Sequence, residues 1–154
     1  MGKYGVDTSV SVERSIAEIQ STLQRYGADG FLHGWKGETA MVQFEMCERR
    51  VRFQLTMPDR DDREFTHTEA RGRPRSASQA LAAWEQACRQ RYRALALVIK
   101  AKLEAVESGI TEFEDEFLAH IVLADGSQVR DHVRSAIEAS YSNGKMLPLL
   151  PGVK

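Results

Sequence analysis

Apolar residues recur at steps of three and four between Val12 and Tyr26, which is the spacing of one face of an α-helix. Ser11 stands where a helix cap is needed, and Gly27 follows where a helix can end. The pattern therefore predicts an amphipathic helix in this segment.

From Phe31 onward the pattern changes to strict alternation of apolar and polar residues, which is typical of half-buried strands. Two alternating runs, residues 40–47 and 50–57, are separated by a break short enough for a hairpin. A similar break at residues 36–38 lets Phe31 to Trp35 pair with the first run. The sequence thus predicts a three-stranded antiparallel sheet.

Residues 58–77 are polar and without period, so we expect a long loop with at most an edge strand near Phe65. No glycine or proline then occurs between Pro74 and Gly109, and apolar residues keep helical spacing from Leu81 to Val106. This pattern predicts a helix of about 30 residues, about 45 Å long.

Shorter elements are predicted for the rest of the chain. Thr111 and Glu114 match a capping box for a short helix that ends at Phe117. A small hairpin, a helix ended by Asn143 and Gly144, and an apolar tail that packs back on the body are expected at residues 120–129, 130–141 and 146–152.

These elements predict an α+β fold: helix, three-stranded antiparallel sheet, long helix, then a small C-terminal hairpin and helix. We expect one domain over residues 1–154, with an α-β-β-β-α core at 9–107 and a C-terminal helical subdomain at 108–154. The first helix and the first half of the long helix are expected to cover the sheet.

Composition fits a folded globular chain, with 42% hydrophobic and 28% charged residues. The N-terminus has no apolar signal core, and the longest apolar run is Ala94 to Ile99, so we expect no membrane contact and a cytoplasmic location in a bacterial host cell. Cys47 and Cys88 lie inside apolar patterns, and we expect both to be reduced and buried.

Charge is strongly segregated along a chain whose net charge is only −1. Residues 71–102 contain eight Lys or Arg against Glu85 alone, and residues 103–120 contain six acidic residues and no Lys or Arg. A local positive potential attracts polyanions, so the predicted nucleic-acid-binding residues are Arg71, Arg73, Arg75, Arg89, Arg93 and Lys100. The alternative is ordinary pairing inside the helix, Arg89 with Glu85 and Lys100 with Glu104.

No motif predicts catalysis. Nucleophile-elbow, phosphate-loop and dinucleotide-binding patterns are absent, and four scattered histidines show no zinc spacing. We therefore expect no catalytic residues, no metal site and no cofactor. The sequence leaves one alternative, a catalytic triad whose residues are far apart in sequence and meet only in the folded chain.

Three other features leave alternatives. Trp84 fits a core position better than a base-stacking one, whereas the two roles are balanced for Trp35. Leu97 and Val98 point away from the main apolar stripe of the long helix, and they are predicted to meet either the C-terminal helix and tail or a second copy of the chain.

Two resemblances bear on function. The predicted core has the element order of double-stranded-RNA-binding domains, but their basic signature is absent because Glu85 is the only charge from Ser76 to Ala87. The segments WEQACRQRYRALALVIKAKLEAVESGI, EFEDEFLAHIVLADGSQV and MLPLLPG resemble a family encoded in bacteriophages and prophages, to which no activity is assigned. That resemblance implies a phage context.

The sequence therefore favours a non-enzymatic, phage-type accessory protein that binds nucleic acid, with DNA favoured over RNA. It would bind through a basic loop that carries Arg71, Arg73 and Arg75, and through a ridge on the long helix formed by Arg89, Arg93 and Lys100. The alternative is a protein-binding inhibitor or adaptor that docks through acidic residues 104–116 or the same ridge. Of the two covers for Leu97 and Val98, a second copy of the chain is favoured over the C-terminal helix and tail, which makes a homodimer the expectation.

Overall fold

The predicted order of elements is confirmed in a computed structural model that describes residues 5–149. Helices and one three-stranded antiparallel sheet give an α+β fold. The elements are α1 (Val12–Arg25), β1 (Gly30–Lys36), β2 (Thr39–Met46), β3 (Arg49–Thr56), α2 (Arg63–Thr66), α3 (Ala77–Glu107), α4 (Phe113–Phe117), a 3-10 turn (Leu118–His120) and α5 (Val129–Asn143).

The sheet has the order β1-β2-β3, and its pleat sorts side chains onto two faces. In the observed register Phe31 lies opposite Phe44, which lies opposite Val51. Phe44 and Val51 are fully buried, whereas Arg50 on the other face is exposed. The face that carries Phe44 and Val51 is therefore the one that meets the helices.

Helices α1 and α3 run in the same direction, because Glu18 pairs with Arg93 and Tyr26 bonds to Glu104. Each begins at a serine whose side chain accepts a backbone N–H, Ser11 for α1 and Ser76 for α3. The α3 residues in the largest core cluster, Leu95, Ala96, Ile99 and Leu103, belong to the second half of the helix. The first half also reaches the sheet at its end, where the hydroxyl of the buried Tyr92 lies 3.2 Å from Nε2 of His33 in β1.

The C-terminal segment closes the β3 edge of the sheet. Phe117 is fully buried and packs edge-on against Phe44, with ring centroids 5.6 Å apart. Ile121 bridges Val51, and the side chain of Gln128 donates to the carbonyl of Arg52 at 2.6 Å. Residues after the long helix thus share the core cluster with the sheet.

Several local predictions are wrong. Phe65 lies in the helical turn α2 and not in an edge strand, and α4 begins after Glu112 with no side-chain cap instead of at a Thr111 box. Cys47 is exposed in the β2–β3 turn, whereas Cys88 is buried as expected. Residues 145–149 of the tail are exposed, and the last five residues lie outside the described part.

Within residues 5–149, no helix combines the length and the apolar character that a bilayer span requires.

Candidate nucleic-acid interface

The loop after the sheet folds into a small hairpin, residues 67–74, which we call the arginine hairpin. An antiparallel bridge joins His67 to Pro74, and the N–H of Thr68 donates to the carbonyl of Arg73 at 2.8 Å. The Thr68 hydroxyl accepts the N–H of Arg73 at 3.0 Å. Gly72 has φ +59°, the left-handed conformation that this turn needs and that glycine adopts without strain. The hairpin is therefore an ordered platform for its arginines.

The three predicted arginines of this segment have different surroundings. Arg71 and Arg73 are exposed. Arg75 is half-buried, and its Nη1 donates to the carbonyls of Glu64 and Phe65 at 2.9 and 3.1 Å. Those carbonyls belong to α2, so Arg75 secures the hairpin to that helix while Arg71 and Arg73 face solvent.

A groove of about 780 Å³ separates the arginine hairpin from α3. Arg63, His67 and Arg75 line one wall, and Gln86 is among the α3 residues of the other. Gln86 also borders a neighbouring depression that contains Arg89. The structure thus brings the hairpin and the start of the predicted helix ridge to adjacent surfaces. The sequence prediction missed Arg63, because its segment has no periodic pattern.

Neither of the two ion pairs that the helical spacing predicts for the ridge, Arg89 with Glu85 and Lys100 with Glu104, is formed in the structure. Nε and Nη2 of Arg89 donate to the amide oxygen of Gln86 at 3.0 and 2.6 Å, and not to Glu85. Glu104 accepts the hydroxyl of Tyr26, so it is not paired with Lys100. That hydrogen bond, together with the nearby Glu104 charge, raises the pKa of Tyr26. The alternative of ordinary pairing within α3 is therefore not what the structure contains.

Most cations of the basic segment lack a direct ion pair. Of the eight Lys and Arg in residues 71–102, two form ion pairs within the described part of the chain: Arg93 with Glu18, and Lys102 with Glu116 at 3.0 Å. Lys100 is exposed, eleven residues beyond Arg89 and so about 16 Å along the helix. Arg93 lies beside α1, and its charge is already compensated.

Acidic residues of segment 104–116 are partly engaged inside the molecule. Glu114 pairs with Arg49 at 3.0 Å, Glu116 pairs with Lys102, and Glu104 bonds to Tyr26. These contacts use three of the carboxylates that a basic partner would need.

The two tryptophans border a separate cleft on the other side of Arg89. Trp84 is half-buried and its ring N–H donates to the carbonyl of Pro58 at 2.7 Å, which fits a structural anchor. Trp35 is 77% exposed, so it is not a core residue.

One serine–histidine contact forms only in the folded chain. The Ser127 hydroxyl lies 2.6 Å from Nε2 of His132 and 2.5 Å from a carboxylate oxygen of Asp125. A hydroxyl has one hydrogen, which here bonds to the carboxylate, so His132 must donate to Ser127. A catalytic triad needs the histidine to accept that proton, and this arrangement instead closes the turn at residues 125–127.

Among the described residues, no group of three or more His, Cys, Asp or Glu is arranged to hold a metal ion.

Comparison of the chain with protein-family models, with curated proteins and with solved structures found no match.

Proposed function

We propose that this protein is a non-enzymatic accessory factor that binds nucleic acid through the arginine hairpin and through Arg89 and Lys100 of the α3 ridge. The observation that supports it is the lack of ion pairs. Arg71, Arg73, Arg89 and Lys100 form none within the described residues, although acidic residues follow directly in sequence. Such cations retain the potential that attracts phosphates.

The chemistry of this surface suits the phosphate backbone more than the bases. Arginine binds phosphate oxygens with two parallel hydrogen bonds, and the exposed Arg71 and Arg73 are available to do so. Gln86 is already bonded to Arg89, so it is not an open reader of base edges. We therefore propose binding with little sequence preference, and we take DNA as the first ligand to test and RNA as its comparison.

The test replaces the two exposed hairpin arginines, Arg71→Gln with Arg73→Gln, in one variant. Fluorescence anisotropy with labelled single- and double-stranded DNA and RNA is measured at several salt concentrations. If both arginines contact phosphates of duplex DNA, affinity falls about tenfold and the slope of log K against log salt becomes shallower by about 1.8, since each contact contributes about 0.9.

The matched control removes the same charge elsewhere, Arg14→Gln with Arg134→Gln, two exposed residues on α1 and α5. We expect it to keep most of the affinity and the wild-type slope. Equal losses in the two variants would show only a net-charge effect, and no loss in the hairpin variant would reject the site. Arg75 and Arg93 are left unchanged because both make structural contacts.

The inhibitor or adaptor hypothesis stays the second proposal, and one observation favours it. The cleft that Trp35 borders is also lined by Glu13, Glu38 and Glu85. Their negative charge repels a nucleic acid, and it suits a partner protein instead.

A further inference from the structure

A cleft of about 360 Å³ opens between the first turn of α1, the β1–β2 turn and the first half of α3. Its aromatic lining consists of Trp35, Trp84 and Tyr92. Tyr92 is buried, Trp84 is half-buried, and Trp35 at the end of β1 is 77% exposed. The exposed indole of Trp35 offers a flat apolar face beside the cleft that a ligand can cover.

Three carboxylates line the same cleft: Glu13 of α1, Glu38 of the β1–β2 turn and Glu85 of α3. All three are exposed, and none forms an ion pair within residues 5–149. Arg89 is the one cation that lines the cleft among the described residues, and it bonds to Gln86. The cleft therefore carries excess negative charge, which excludes a phosphate and attracts a cation.

Trp84, one of the tryptophans that line this cleft, already stacks on the guanidinium of a residue outside the cleft lining. Arg60 lies over the Trp84 ring, 4.1 Å from its centroid. The flat guanidinium group stacks on an indole more closely than an ammonium does, so the contact shows which cation an indole suits here. Trp35 presents a second indole that no cation covers within the described residues.

We propose that the cleft binds an arginine side chain of a partner protein, with its guanidinium stacked on Trp35 and hydrogen-bonded to Glu38 and Glu85. Cation–π attraction and carboxylate pairing then act on the same group. The aromatic and acidic residues of this site are not part of the proposed nucleic-acid surface, and the two sites share Arg89 at their border.

The probe is the peptide acetyl-Gly-Arg-Gly-amide, titrated into the isotopically labelled full chain and followed by NMR, with the indole N–H of Trp35 as the main reporter. The matched probe contains citrulline, which has the same shape without the charge. We expect the arginine peptide to bind with a dissociation constant on the order of millimolar, and the citrulline peptide at least about fivefold more weakly.

Two variants locate the site. Trp35→Ala, followed at the indole N–H of Trp84 in the same cleft, is expected to weaken the arginine peptide by about fivefold or more. Glu38→Gln with Glu85→Gln, followed at Trp35, is expected to weaken it by a similar factor. The control Glu107→Gln with Glu138→Gln removes two exposed carboxylates elsewhere and should leave binding unchanged. Equal binding of the two peptides, or equal losses in the site and control variants, would overturn the proposal. A short oligothymidylate that shifts Trp35 more than the arginine peptide does would also overturn it, and would assign the cleft to bases.

Discussion

The two residues of the β2–β3 turn have an uncommon backbone conformation. Cys47 and Glu48 have φ of 52° and 58°, and among the described residues they are the non-glycine positions with positive φ. A two-residue hairpin turn of this kind prefers Asn-Gly, because other side chains clash in the left-handed region. Neither residue lies in the core, so the strain is not offset by burial.

We predict that Cys47→Asn combined with Glu48→Gly raises the free energy of unfolding by about 1 kcal/mol. Urea denaturation followed by circular dichroism measures the change. Thr56→Gly serves as the control, since φ at Thr56 is not positive and the added glycine there only increases the entropy lost on folding. A double variant no more stable than wild type would show that the turn is unstrained.

His120 makes stability depend on pH. Its ring stacks on Phe53 with centroids 4.2 Å apart, and its Nδ1 is buried without a hydrogen-bond partner. Burial, and then the charges of Arg130 and Lys102, lower the pKa of His120 below its ordinary value of 6.5. Because the folded state resists protonation, the unfolded chain binds more protons below about pH 6.5, and stability falls as the pH drops through that range.

Replacing His120 with Phe keeps a ring against Phe53 and removes the titrating group. We predict that the wild type loses more stability between pH 7.5 and pH 5 than H120F does, as measured by denaturation at each pH. Similar losses in the two proteins would mean that other groups, such as His33, whose pKa burial also lowers, set the pH dependence.

At the scale of elements, the side chain of Arg75 connects the arginine hairpin to α2, beside a backbone hydrogen bond from the N–H of Arg75 to the carbonyl of Thr66. Arg75 ties it to the carbonyls of Glu64 and Phe65, and the ring of Phe65 is buried. Hydrogen bonds from a charged donor contribute about 1.5–3 kcal/mol, less where the group is partly exposed. The charge pattern predicts Arg75 as a nucleic-acid-binding residue, whereas its observed side-chain contacts are internal.

We predict that Arg75→Ala speeds amide hydrogen exchange in the hairpin, at Thr68 and Gly72, by about tenfold. Arg73→Ala removes a neighbouring arginine whose side chain makes no such contact, and it should leave the exchange rates unchanged. Exchange that is equally slow in both variants would show that backbone hydrogen bonds alone hold the hairpin.

Arg93 has a comparable role between α1 and α3. Its ion pair with Glu18 is partly buried, with the Arg93 side chain 22% exposed. Reversing its charge would place two carboxylates together and loosen the packing of the two helices. Loss of nucleic-acid binding in such a variant would therefore not identify Arg93 as a contact.

For the whole molecule, the open question is what covers Leu97 and Val98. Both are half-buried, and Val98 lines an apolar groove of about 360 Å³ with Phe53 and Phe65. The tail does not supply the cover in the described residues, because residues 145–149 are exposed. Of the two covers that the sequence predicts, the C-terminal helix and tail or a second copy of the chain, we take the second copy as the one to test.

We predict that light scattering at micromolar concentration gives twice the 17.3 kDa mass of one chain, and that Leu97→Glu returns the monomer mass. Lys100→Glu, on the same helix but already exposed, is the control and should stay dimeric. A wild-type mass of one chain would reject this association.

The sequence alone determined the α1 helix, the three strands and the long α3 helix. Each has a periodic pattern that indicates which side is buried. The caps Ser11 and Ser76 are also local, because each serine accepts a backbone N–H from the first turn of the helix that it begins. The helical turn at Phe65 was predicted wrongly because its segment has no period. Cys47 was predicted wrongly because the alternating pattern runs one residue past the end of β2 into the turn, where the side chain is exposed.

Only the tertiary structure decided which charges are compensated and which aromatic residues are exposed. Glu104 bonds to Tyr26, which lies 78 residues earlier in the chain, and Trp84 bonds to Pro58, 26 residues away. Helical spacing shows which charged side chains lie four residues apart on the same helix. It does not show which side chains of other helices or strands bond to the same charged group instead. Trp35 fits the strand pattern like a core residue, and it is exposed because the helices that cover the sheet leave the end of β1 open.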